Sequence, residues 1–544
     1  MKWAKAPLER EQMVLFPSCI DEIVPRDHRV RTVDQILSGL DWGRFESSYC
    51  DQTGQPAIHP RVIASVILYG HMVKIRSSRG LEGALQERVD FKWLVEGRSI
   101  DHTTISEFRV KFGALLSDIG AQMAIIAHKM GVTTLTKLAQ DGTRLRASNA
   151  RRATARVEKL DELQAGFRKT IDELEQQVRE ADLLDSEDAR LEASRLGDKL
   201  NSTRNRAAAI DRAKAEIERA RAEEETIPNR VPLTDVESRV TPNKQAGFAP
   251  NFTPVATVDL GSGMILDSDV RPNADEEVCL VPSVDRIEQC LAERGLSIHV
   301  ESVSVDSRFI DGPNLRSMQA RGTDLLGPVR QVPDCVLRAD GSQPIAAEHW
   351  DQLPTTVVRK ARGDKPASVQ LTKEAFLQDA EQNCYWCPAG QKLKFAGRSH
   401  ESKRRHGKTC KIERTRYEAP SSACVACALK SRCLQTDEST RSRTLTIDEY
   451  EPERECLRER MKVESNQTLH ALRKSEGERP FALIKHVFGI RQWLLRGTDR
   501  VCTEWRWITN SVNLMILTKL IRESTSAGTP MSSGDRGPPI PAGA

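Results

Sequence analysis

The chain has 544 residues, of which 39% are hydrophobic, so it can bury several cores, and its length predicts about three or four domains. The formal net charge of +4 and the pI near 8.4 permit a nucleic-acid partner but do not by themselves indicate one. The first 13 residues lack the apolar core of a signal sequence and no apolar run approaches the length of a membrane span, so we expect a cytoplasmic protein. The 13 cysteines then favour reduced thiols, or a metal site, over a disulfide framework.

Residues 1–130 have the pattern of a helical N-terminal domain. Pro60 is followed by an apolar helical face, Ser77 and Ser78 start a second such segment, and the sequence after Asp101 is typical of a capped third helix. Three short helices with basic residues between them fit a helix-turn-helix DNA-binding domain, and they fit an ordinary helical subdomain almost as well. If the domain binds DNA, Arg109 on the third helix is a candidate contact residue.

The segment 131–150 is predicted to contain the first core strand. β-Branched and apolar residues alternate up to Asp141 and Gly142. Asp-Gly is a favoured hairpin turn pair, so Asp141 is either a turn residue or, on a central strand, a carboxylate at the edge of a cleft. Directly after it, Arg144 and Arg146 are candidates for contact with a phosphate backbone.

Residues 151–227 are predicted to form an inserted helical arm. Apolar residues recur mostly at three- and four-residue spacing among Glu, Lys and Arg, as a coiled-coil-like hairpin requires. The charges indicate a solvated face. The arm therefore carries no chemistry of its own, and it is suited to dimerisation or to clamping DNA.

Residues 228–330 are predicted to supply most of the core strands. Prolines mark a linker over 228–250. Two strands joined by Gly261-Ser262-Gly263 follow as a hairpin, then a helix over 281–294 and a strand over 299–305 that ends at Asp306. A strand-end cap and a catalytic carboxylate are equally good interpretations of Asp306 by itself.

Residues 331–470 form a predicted second insertion that is rich in Pro, Gly and Cys. Two Cys-x-x-Cys pairs, Cys384 with Cys387 and Cys424 with Cys427, can surround a tetrahedral Zn²⁺ with four thiolates. The alternatives are cysteines that are simply buried, or a pairing of Cys433 with only some of the others.

Between the two cysteine pairs, the segment 397–416 is strongly basic. Lys403, Arg404 and Arg405 near its centre make it a candidate loop for contact with phosphates. The alternative is a disordered, solvated loop.

Residues 471–523 are predicted to contain core helices. Over 481–495 apolar residues recur at two- to four-residue steps, which predicts a helix with one broad buried face. Glu478 lies near the helix start and Lys485 follows close to two turns later, so both are expected on the same side. Such a pair suits metal-assisted phosphoryl transfer, although a solvated Glu and a snorkelling Lys explain this motif alone more simply. The tail, 524–544, is predicted to be disordered.

Several of these segments together resemble those of one known family. They are PAIHPRVIASVILYGHMVKIRSSR (56–79), DHTTISEFR (101–109), DGTRLRASN (141–149), CPAG (387–390), the segment 424–433, and the segment 478–513 with its LLRGTDRVCTEW core. Over about residues 15–520 the chain resembles the DDE-type transposases of bacterial insertion sequences, specifically the insertion-sequence 1182-like branch. By this resemblance Asp141, Asp306 and Glu478 match the three catalytic acids, and Lys485 matches the lysine that follows the glutamate.

The resemblance implies an α/β fold with a ribonuclease H-like mixed-sheet catalytic core, a helical N-terminal domain, an inserted helical hairpin and a Cys-rich insertion. It implies that Asp141, Asp306 and Glu478 bind Mg²⁺, for which Mn²⁺ can substitute, in a two-metal site. The implied reaction is hydrolysis of a phosphodiester at each transposon end, followed by attack of the freed 3′-OH on target DNA. The implied partners are double-stranded transposon ends and target DNA, and a second copy of the chain in a synaptic homodimer, in the cytoplasm and associated with the nucleoid.

The chain departs from the family pattern at several positions. The family often has Gly two places after the second aspartate, where this chain has Arg308, and Gly where this chain has Ala482. Related branches carry Tyr and Arg seven and four residues before the glutamate, and here these places hold Ala471 and Lys474. The departures make Asp311 a local rival for the second acid. They also leave open another class of function, a catalytically inactive, transposase-derived DNA-binding protein.

Overall fold

The fold is that of a computed structural model of the chain. It describes residues 19–49, 57–150, 152–184, 186–223, 228–242, 247–359, 368–405, 408–434 and 442–526. This part is a mixed α/β protein with several sheets. Most of the tail that the sequence predicts to be disordered lies outside the described residues, but 524–526 continue the last helix.

The described part of residues 19–130 is mainly helical, as predicted. Pro60 opens one helix and Ser77 caps the next, which confirms two predicted helix starts. The third is confirmed as well, because the Asp101 carboxylate accepts hydrogen bonds from the next helix's first turn at 2.8 and 2.9 Å. The helices are α1 (Ile20–Ile23), α2 (Arg29–Ser38), α3 (Gly43–Glu46), α4 (Pro60–Met72), α5 (Ser78–Glu87), α6 (Val89–Leu94), α7 (His102–Lys111) and α8 (Leu116–Lys129).

Nine strands and four α-helices lie between residues 137 and 326 in the described part of the chain. In chain order they are β1 (Lys137–Gly142), β2 (Leu145–Arg146), β3 (Thr154–Arg156), α9 (Leu160–Asp182), α10 (Glu187–Ala222), β4 (Arg230–Pro232), β5 (Arg239–Pro242), β6 (Phe248–Asp259), β7 (Ile265–Arg271), α11 (Leu280–Glu293), β8 (Ser302–Ser304), α12 (Gly312–Ala320) and β9 (Asp324–Leu326). Helices α9 and α10 pack against each other, which confirms the predicted helical hairpin.

The central sheet has the spatial order β7-β6-β1-β8-β9 among the described residues. β1 runs antiparallel to β6 and parallel to β8, and β8 runs parallel to β9. β1 therefore lies in the interior of the sheet, so the central-strand interpretation of Asp141 is confirmed and the hairpin-turn alternative is wrong. The hairpin joined by Gly261-Ser262-Gly263 is confirmed as β6 and β7.

The proline-rich segment 228–250 is not the linker that the sequence predicts. Pro232 and Pro242 end strands β4 and β5, and Pro250 lies inside β6. β2 and β5 both pair with the first half of β6, and Pro250 faces Val240 of β5 in that pairing. Because proline lacks only the N–H donor, these positions keep a carbonyl for pairing: β5 extends the sheet beside β6, and β4 pairs with β3 in a separate two-stranded sheet.

The Cys-rich insertion contains its own antiparallel sheet. Its elements are β10 (Thr355–Arg359), β11 (Ser368–Leu371), β12 (Leu377–Asp379), β13 (Cys384–Trp386), β14 (Lys392–Arg405), β15 (Lys408–Glu418), α13 (Ser421–Val425), α14 (Lys430–Cys433) and β16 (Thr444–Asp448). β12 to β16 are neighbours in that order. The basic segment 397–416 is not a loop, because β14 and β15 pair along it as far as Arg405 and Lys408. We call these two strands the basic ribbon.

The C-terminal region is helical but interrupted. It contains α15 (Glu451–Arg460), α16 (Glu464–Leu472), a π-helical turn (Arg473–Gly477), α17 (Arg479–Ala482), a second π-helical turn (Leu483–Val487) and α18 (Thr498–Ser526). The single helix predicted over 481–495 is therefore wrong: the chain leaves the helix after Val487, and Gly489 adopts a positive φ of 72°.

Helix α18 joins the N-terminal helices to the central sheet. It packs against α2, α4 and α8 on one side and against β7 on the other. Trp505 and Trp507 are buried in the same core as residues of α4 and β6. The indole N–H of Trp505 donates to the Val255 carbonyl at 3.0 Å, so aromatic packing and hydrogen bonding both hold the helix on the sheet.

Within the described residues, no helix alone combines the length and apolar character needed to cross a membrane. The bent pair His102–Lys111 and Gly113–Lys129 would meet that requirement by length and composition only.

Asn513 takes the place of a neighbouring strand at the outer side of β7. Its Oδ1 accepts from the Ile265 N–H at 2.8 Å and its Nδ2 donates to the Ile265 carbonyl at 2.7 Å, in a buried site. We expect Asn513→Leu to lower the free energy of unfolding by about 2–4 kcal/mol, since each buried backbone group left unpaired costs about 1–3 kcal/mol. Urea denaturation measures this. Lys519→Ala, at an exposed position of the same helix, should change stability by no more than about 0.5 kcal/mol, and an equal loss in both variants would contradict the assignment.

Candidate active site

Two of the predicted acids lie at the same edge of the central sheet. Asp141 is near the end of β1 and Asp306 follows β8 by two residues. Ala139 pairs with Ser304 in the parallel register of these strands, and continuing that register by two residues places Asp141 opposite Asp306. The two carboxylates, far apart in the chain, therefore meet because their strands are neighbours.

Glu478, directly after the first π-helical turn (Arg473–Gly477), joins them. Gly477 packs so closely on β1 that a Cβ atom there would stand 3.0 Å from the Ala139 Cβ, so the chain that carries Glu478 runs directly over the strand that carries Asp141. Burial is the main cause that raises the pKa of Asp141, and the charges of Asp306 and Glu478 raise it further. The structure thus brings all three predicted acids together.

An arginine that the sequence analysis did not select lies between two of these acids. Nη1 of Arg473 is 3.4 Å from Oδ2 of Asp141, and its Nη2 is 3.7 Å from Oε1 of Glu478. The side chain is only 12% exposed. Its guanidinium lowers the pKa of Asp141 and offsets part of the repulsion among the carboxylates.

The π-helical turn explains why Arg473 holds this place. The Glu478 N–H donates to the Arg473 carbonyl at 3.2 Å, a bond that spans five residues instead of four. Residues five apart therefore come to lie near each other, and the cation beside Glu478 is Arg473 rather than Lys474. No sequence pattern marks this turn. Counting four residues back from Glu478, where related branches carry Arg, therefore leads to Lys474 and not to Arg473.

Lys485 also reaches the site. Its ammonium group donates a hydrogen bond to the Thr143 hydroxyl, two residues beyond Asp141. The side chain is half-buried, as a snorkelling lysine would also be, but its ammonium group is bonded within the site.

A fourth carboxylate, Glu276, was missed by the sequence analysis. It opens a short 3₁₀ turn (Glu276–Cys279) after β7, is buried, and forms an ion pair with Arg308 at 2.7 Å. Burial is the main cause that raises the pKa of Glu276. The charges of Asp306 and Asp141 raise it further, and Arg308 lowers it. Asp311, the local rival of the second acid, has another role: its carboxylate caps α12 by accepting from the Asn314 N–H at 2.9 Å.

The residues present suit a divalent cation by chemistry. Three carboxylates with hard oxygen donors converge, and their mutual repulsion is the kind that Mg²⁺ relieves. As the side chains stand, no group of three or more His, Cys, Asp or Glu within the described residues is arranged to hold a metal ion. The Arg473 guanidinium occupies the space between Asp141 and Glu478 instead.

The predicted DNA contacts differ in accessibility. The prediction that Arg109 contacts DNA is wrong. Its side chain is 5% exposed and its guanidinium donates to the Arg76 carbonyl, so it lies in the core and not at a DNA-binding surface. Arg144 is half-buried and donates to the Pro242 carbonyl at 2.7 Å, while Arg146 is exposed. The backbone of Lys403, Arg404 and Arg405 forms the end of strand β14, and the structure does not describe their side chains.

The predicted zinc site has no support in the described residues. Cys384 is buried on β13, whereas Cys387, Cys424, Cys427 and Cys433 all pack at the edge of the same apolar core. Burial raises the pKa of the Cys433 thiol to about 12. Within the described ranges no set of three such side chains is arranged to hold a metal, and of these five thiols only that of Cys384 is buried.

Two parts of the chain match known protein families. Residues 18–111 match the model of a transposase domain (DUF772), and residues 386–518 match that of a transposase DDE domain. The second match contains Glu478 and Lys485. No curated protein and no solved structure matches the chain. The two matches support a DDE-type transposase, an enzyme that acts on DNA in the transposition of a mobile element.

Arg473 is expected to stabilise the site in the absence of metal. We expect Arg473→Met to lower the free energy of unfolding in EDTA by about 1–2 kcal/mol, less than for a fully buried pair because Glu478 is half exposed. Added Mg²⁺ should restore part of the loss, since a dication can replace the missing charge. Urea denaturation in both conditions tests this. The control is Arg479→Met, whose pair with Glu476 lies on the surface; a Mg²⁺ effect of equal size in both variants would contradict the expectation.

Proposed function

We propose that the protein is an active DDE transposase that cleaves the ends of its insertion sequence and joins them to target DNA. The observation that carries this proposal is the convergence of Asp141, Asp306 and Glu478, from three distant parts of the chain, on one edge of the sheet. The proposed core is ribonuclease H-like. In support, an antiparallel β7-β6-β1 unit is followed by parallel β8 and β9, with helices between the later strands.

In the proposed reaction the three carboxylates hold Mg²⁺, or Mn²⁺ in its place. The bound ions would activate the attacking oxygen and stabilise the leaving oxygen of an in-line displacement. In the first step a water oxygen bonds to phosphorus and the P–O3′ bond breaks, which leaves a 3′-OH and a 5′-phosphate. In the second, that 3′-OH attacks a target phosphodiester and a new P–O bond replaces the old one, so no covalent intermediate with the protein is needed.

The residues of the site have separate parts in this scheme. Asp141 lies on the buried strand and supplies the least mobile ligand, while Glu478 is half exposed and can adjust as DNA enters. Lys485, beside Thr143 at the mouth of the site, is placed to hold a phosphate oxygen near the scissile bond. Arg473 must leave the space between Asp141 and Glu478 when metal binds there.

The proposed partners are double-stranded transposon ends, target DNA and a second copy of the chain, because two ends must be held together. We place the protein in the cytoplasm, at the nucleoid. The match of residues 18–111 to a transposase domain supports a part for the N-terminal helices in DNA binding, through surfaces other than Arg109. Arg146 and the basic ribbon supply further exposed positive charge.

Loss of an acid should abolish chemistry without abolishing DNA binding. We expect Asp141→Asn and Glu478→Gln each to lower metal-dependent nicking of DNA that carries the element's ends by at least about 100-fold, since several kcal/mol of charge stabilisation are lost. Labelled DNA incubated with Mg²⁺, Mn²⁺ or EDTA measures cleavage, and gel shifts measure binding. Asp311→Asn, which keeps a good helix cap, should nick at the wild-type rate.

Two outcomes would overturn the proposal. Cleavage retained by Asp141→Asn or Glu478→Gln would exclude these acids as the catalytic ones. Specific binding by the wild-type protein without cleavage in any metal would instead establish a transposase-derived DNA-binding protein.

The basic ribbon should contribute to affinity through phosphates. Lys394, Lys411 and Arg416 are exposed on it. We expect the triple alanine variant to bind end DNA more weakly and to reduce the slope of log K against log[salt] by about one for each lost phosphate contact. Fluorescence anisotropy over a salt series measures the slope. An unchanged slope would show that the ribbon stays clear of DNA.

A further inference from the structure

Arg308 stands where the family that the chain resembles often has glycine, and the structure shows what it contacts. Its backbone N–H donates to Oδ1 of Asp306 at 2.8 Å. Its guanidinium leaves the turn, with Nη1 donating to Oε1 of Glu276 at 2.7 Å and Nη2 donating to the Ala274 carbonyl at 2.7 Å. One residue thus touches the second acid and, through its side chain, the segment that follows β7.

Glu276 in turn lies against the strand end that carries the first acid. A Cβ atom on Gly142 would stand 2.0 Å from Oε2 of Glu276, far inside van der Waals contact. Gly142 directly follows Asp141, and its lack of a side chain is what lets the Glu276 carboxylate pack there. A series of contacts therefore runs from Asp306 through Arg308 and Glu276 to the backbone beside Asp141.

The buried Glu276 in this series of contacts also needs a positively charged partner. Glu276 is buried beside two acids, and an unpaired carboxylate in that place would repel both. The Arg308 guanidinium offsets the negative charge of Glu276 through Nη1, while its Nη2 donates to the Ala274 carbonyl and not to a carboxylate. Glycine at position 308 would leave Glu276 uncompensated, so the arginine and the glutamate belong together.

We propose that the Arg308–Glu276 ion pair is a positioning device that sets the separation of Asp141 and Asp306. It ties the turn after β8 to the end of β1 across the open edge of the sheet. Neither residue contacts the reacting atoms; both act through the two aspartates. The inference rests on the proposed function for its activity readout, but metal binding to the free protein tests it independently.

The test compares Glu276→Gln, Arg308→Ala, their double variant and Arg308→Lys in the full-length protein. The first readout is the rate of end-DNA nicking over a Mn²⁺ titration, which gives the rate at saturating metal and the half-saturating concentration. The second is Mn²⁺ binding without DNA, followed by the EPR signal of the free ion. A residue that orients metal ligands typically changes affinity or activity by about 10- to 100-fold when it is removed.

We expect Glu276→Gln and Arg308→Ala each to lower the saturating nicking rate and to weaken Mn²⁺ binding by about 10-fold or more. The double variant should be no worse than the more damaged single variant, because the two residues act as one unit. Arg308→Lys, which keeps the charge, should recover part of both losses. A role in folding alone would not produce this pattern in a metal-binding measurement made on correctly folded protein.

The chain offers a matched control pair. Arg316 and Glu453 join α12 to α15 at 2.6 Å, with side-chain exposures of 45% and 12% against 44% and 9% for Arg308 and Glu276. Arg316 also pairs with Glu449 at 2.7 Å, so Arg316→Ala should cost at least as much stability as Arg308→Ala, and both Arg316→Ala and Glu453→Gln should leave nicking and Mn²⁺ binding at wild-type levels.

Three outcomes would overturn the inference. Losses no greater than those of the control pair would make Arg308 and Glu276 an ordinary ion pair. Additive losses in the double variant would show that they do not act together. Tighter Mn²⁺ binding by Arg308→Ala, with weaker binding by Glu276→Gln, would make Glu276 a metal ligand that Arg308 restrains. Failure of the wild-type protein to nick DNA would overturn only the proposed function, and the Mn²⁺-binding arm would still decide the role of the pair.

Discussion

The position of strand β1 between antiparallel β6 and parallel β8 is the constraint on which the site depends. An interior strand pairs on both sides, so its backbone is fixed and Asp141 near its end has little freedom. The parallel register with β8 then places Asp306 beside it. The third acid depends on the same strand, because Gly477 permits the chain before Glu478 to lie almost against Ala139. One strand thus organises three carboxylates that are far apart in the chain.

Bringing acids together has an electrostatic cost, and two arginines offset it. Burial raises the pKa of both Asp141 and Glu276, and neighbouring carboxylates raise it further: Asp306 and Glu478 for Asp141, Asp306 and Asp141 for Glu276. Arg473 bridges Asp141 and Glu478 within ion-pair distance, and Arg308 pairs with Glu276 at the opposite side of the group. The carboxylates still present the hard oxygen donors that a divalent cation prefers. The guanidinium of Arg473 lies between Asp141 and Glu478, whereas that of Arg308 pairs with Glu276.

The remaining architecture serves to support this edge of the sheet. Helix α18 binds the N-terminal helices and the central sheet into one core, with Trp505 and Trp507 fully buried and Asn513 completing the outer side of β7. The helical hairpin and the basic ribbon are insertions between segments of this core, each with its own packing.

By itself the sequence determined the features that depend on neighbours in the chain. Alternation of apolar residues marked β1 and β8, caps marked the N-terminal helices, and three- and four-residue spacing marked the helical hairpin, because each pattern follows from local geometry. These patterns left the roles of Asp141, Asp306 and Glu478 open, and only the resemblance to DDE-type transposases selected them together. Only the tertiary structure decided the rest. The basic ribbon lacks the apolar alternation that predicts strands. The burial of Arg109 depends on α18, because the Trp507 indole, 398 residues later in the chain, donates to the Arg109 carbonyl. No local pattern encodes the π-helical turn that places Arg473 beside Glu478, or the pairing of Arg308 with Glu276 across 32 residues. Both segments pack against β1, at Ala139 and at Gly142.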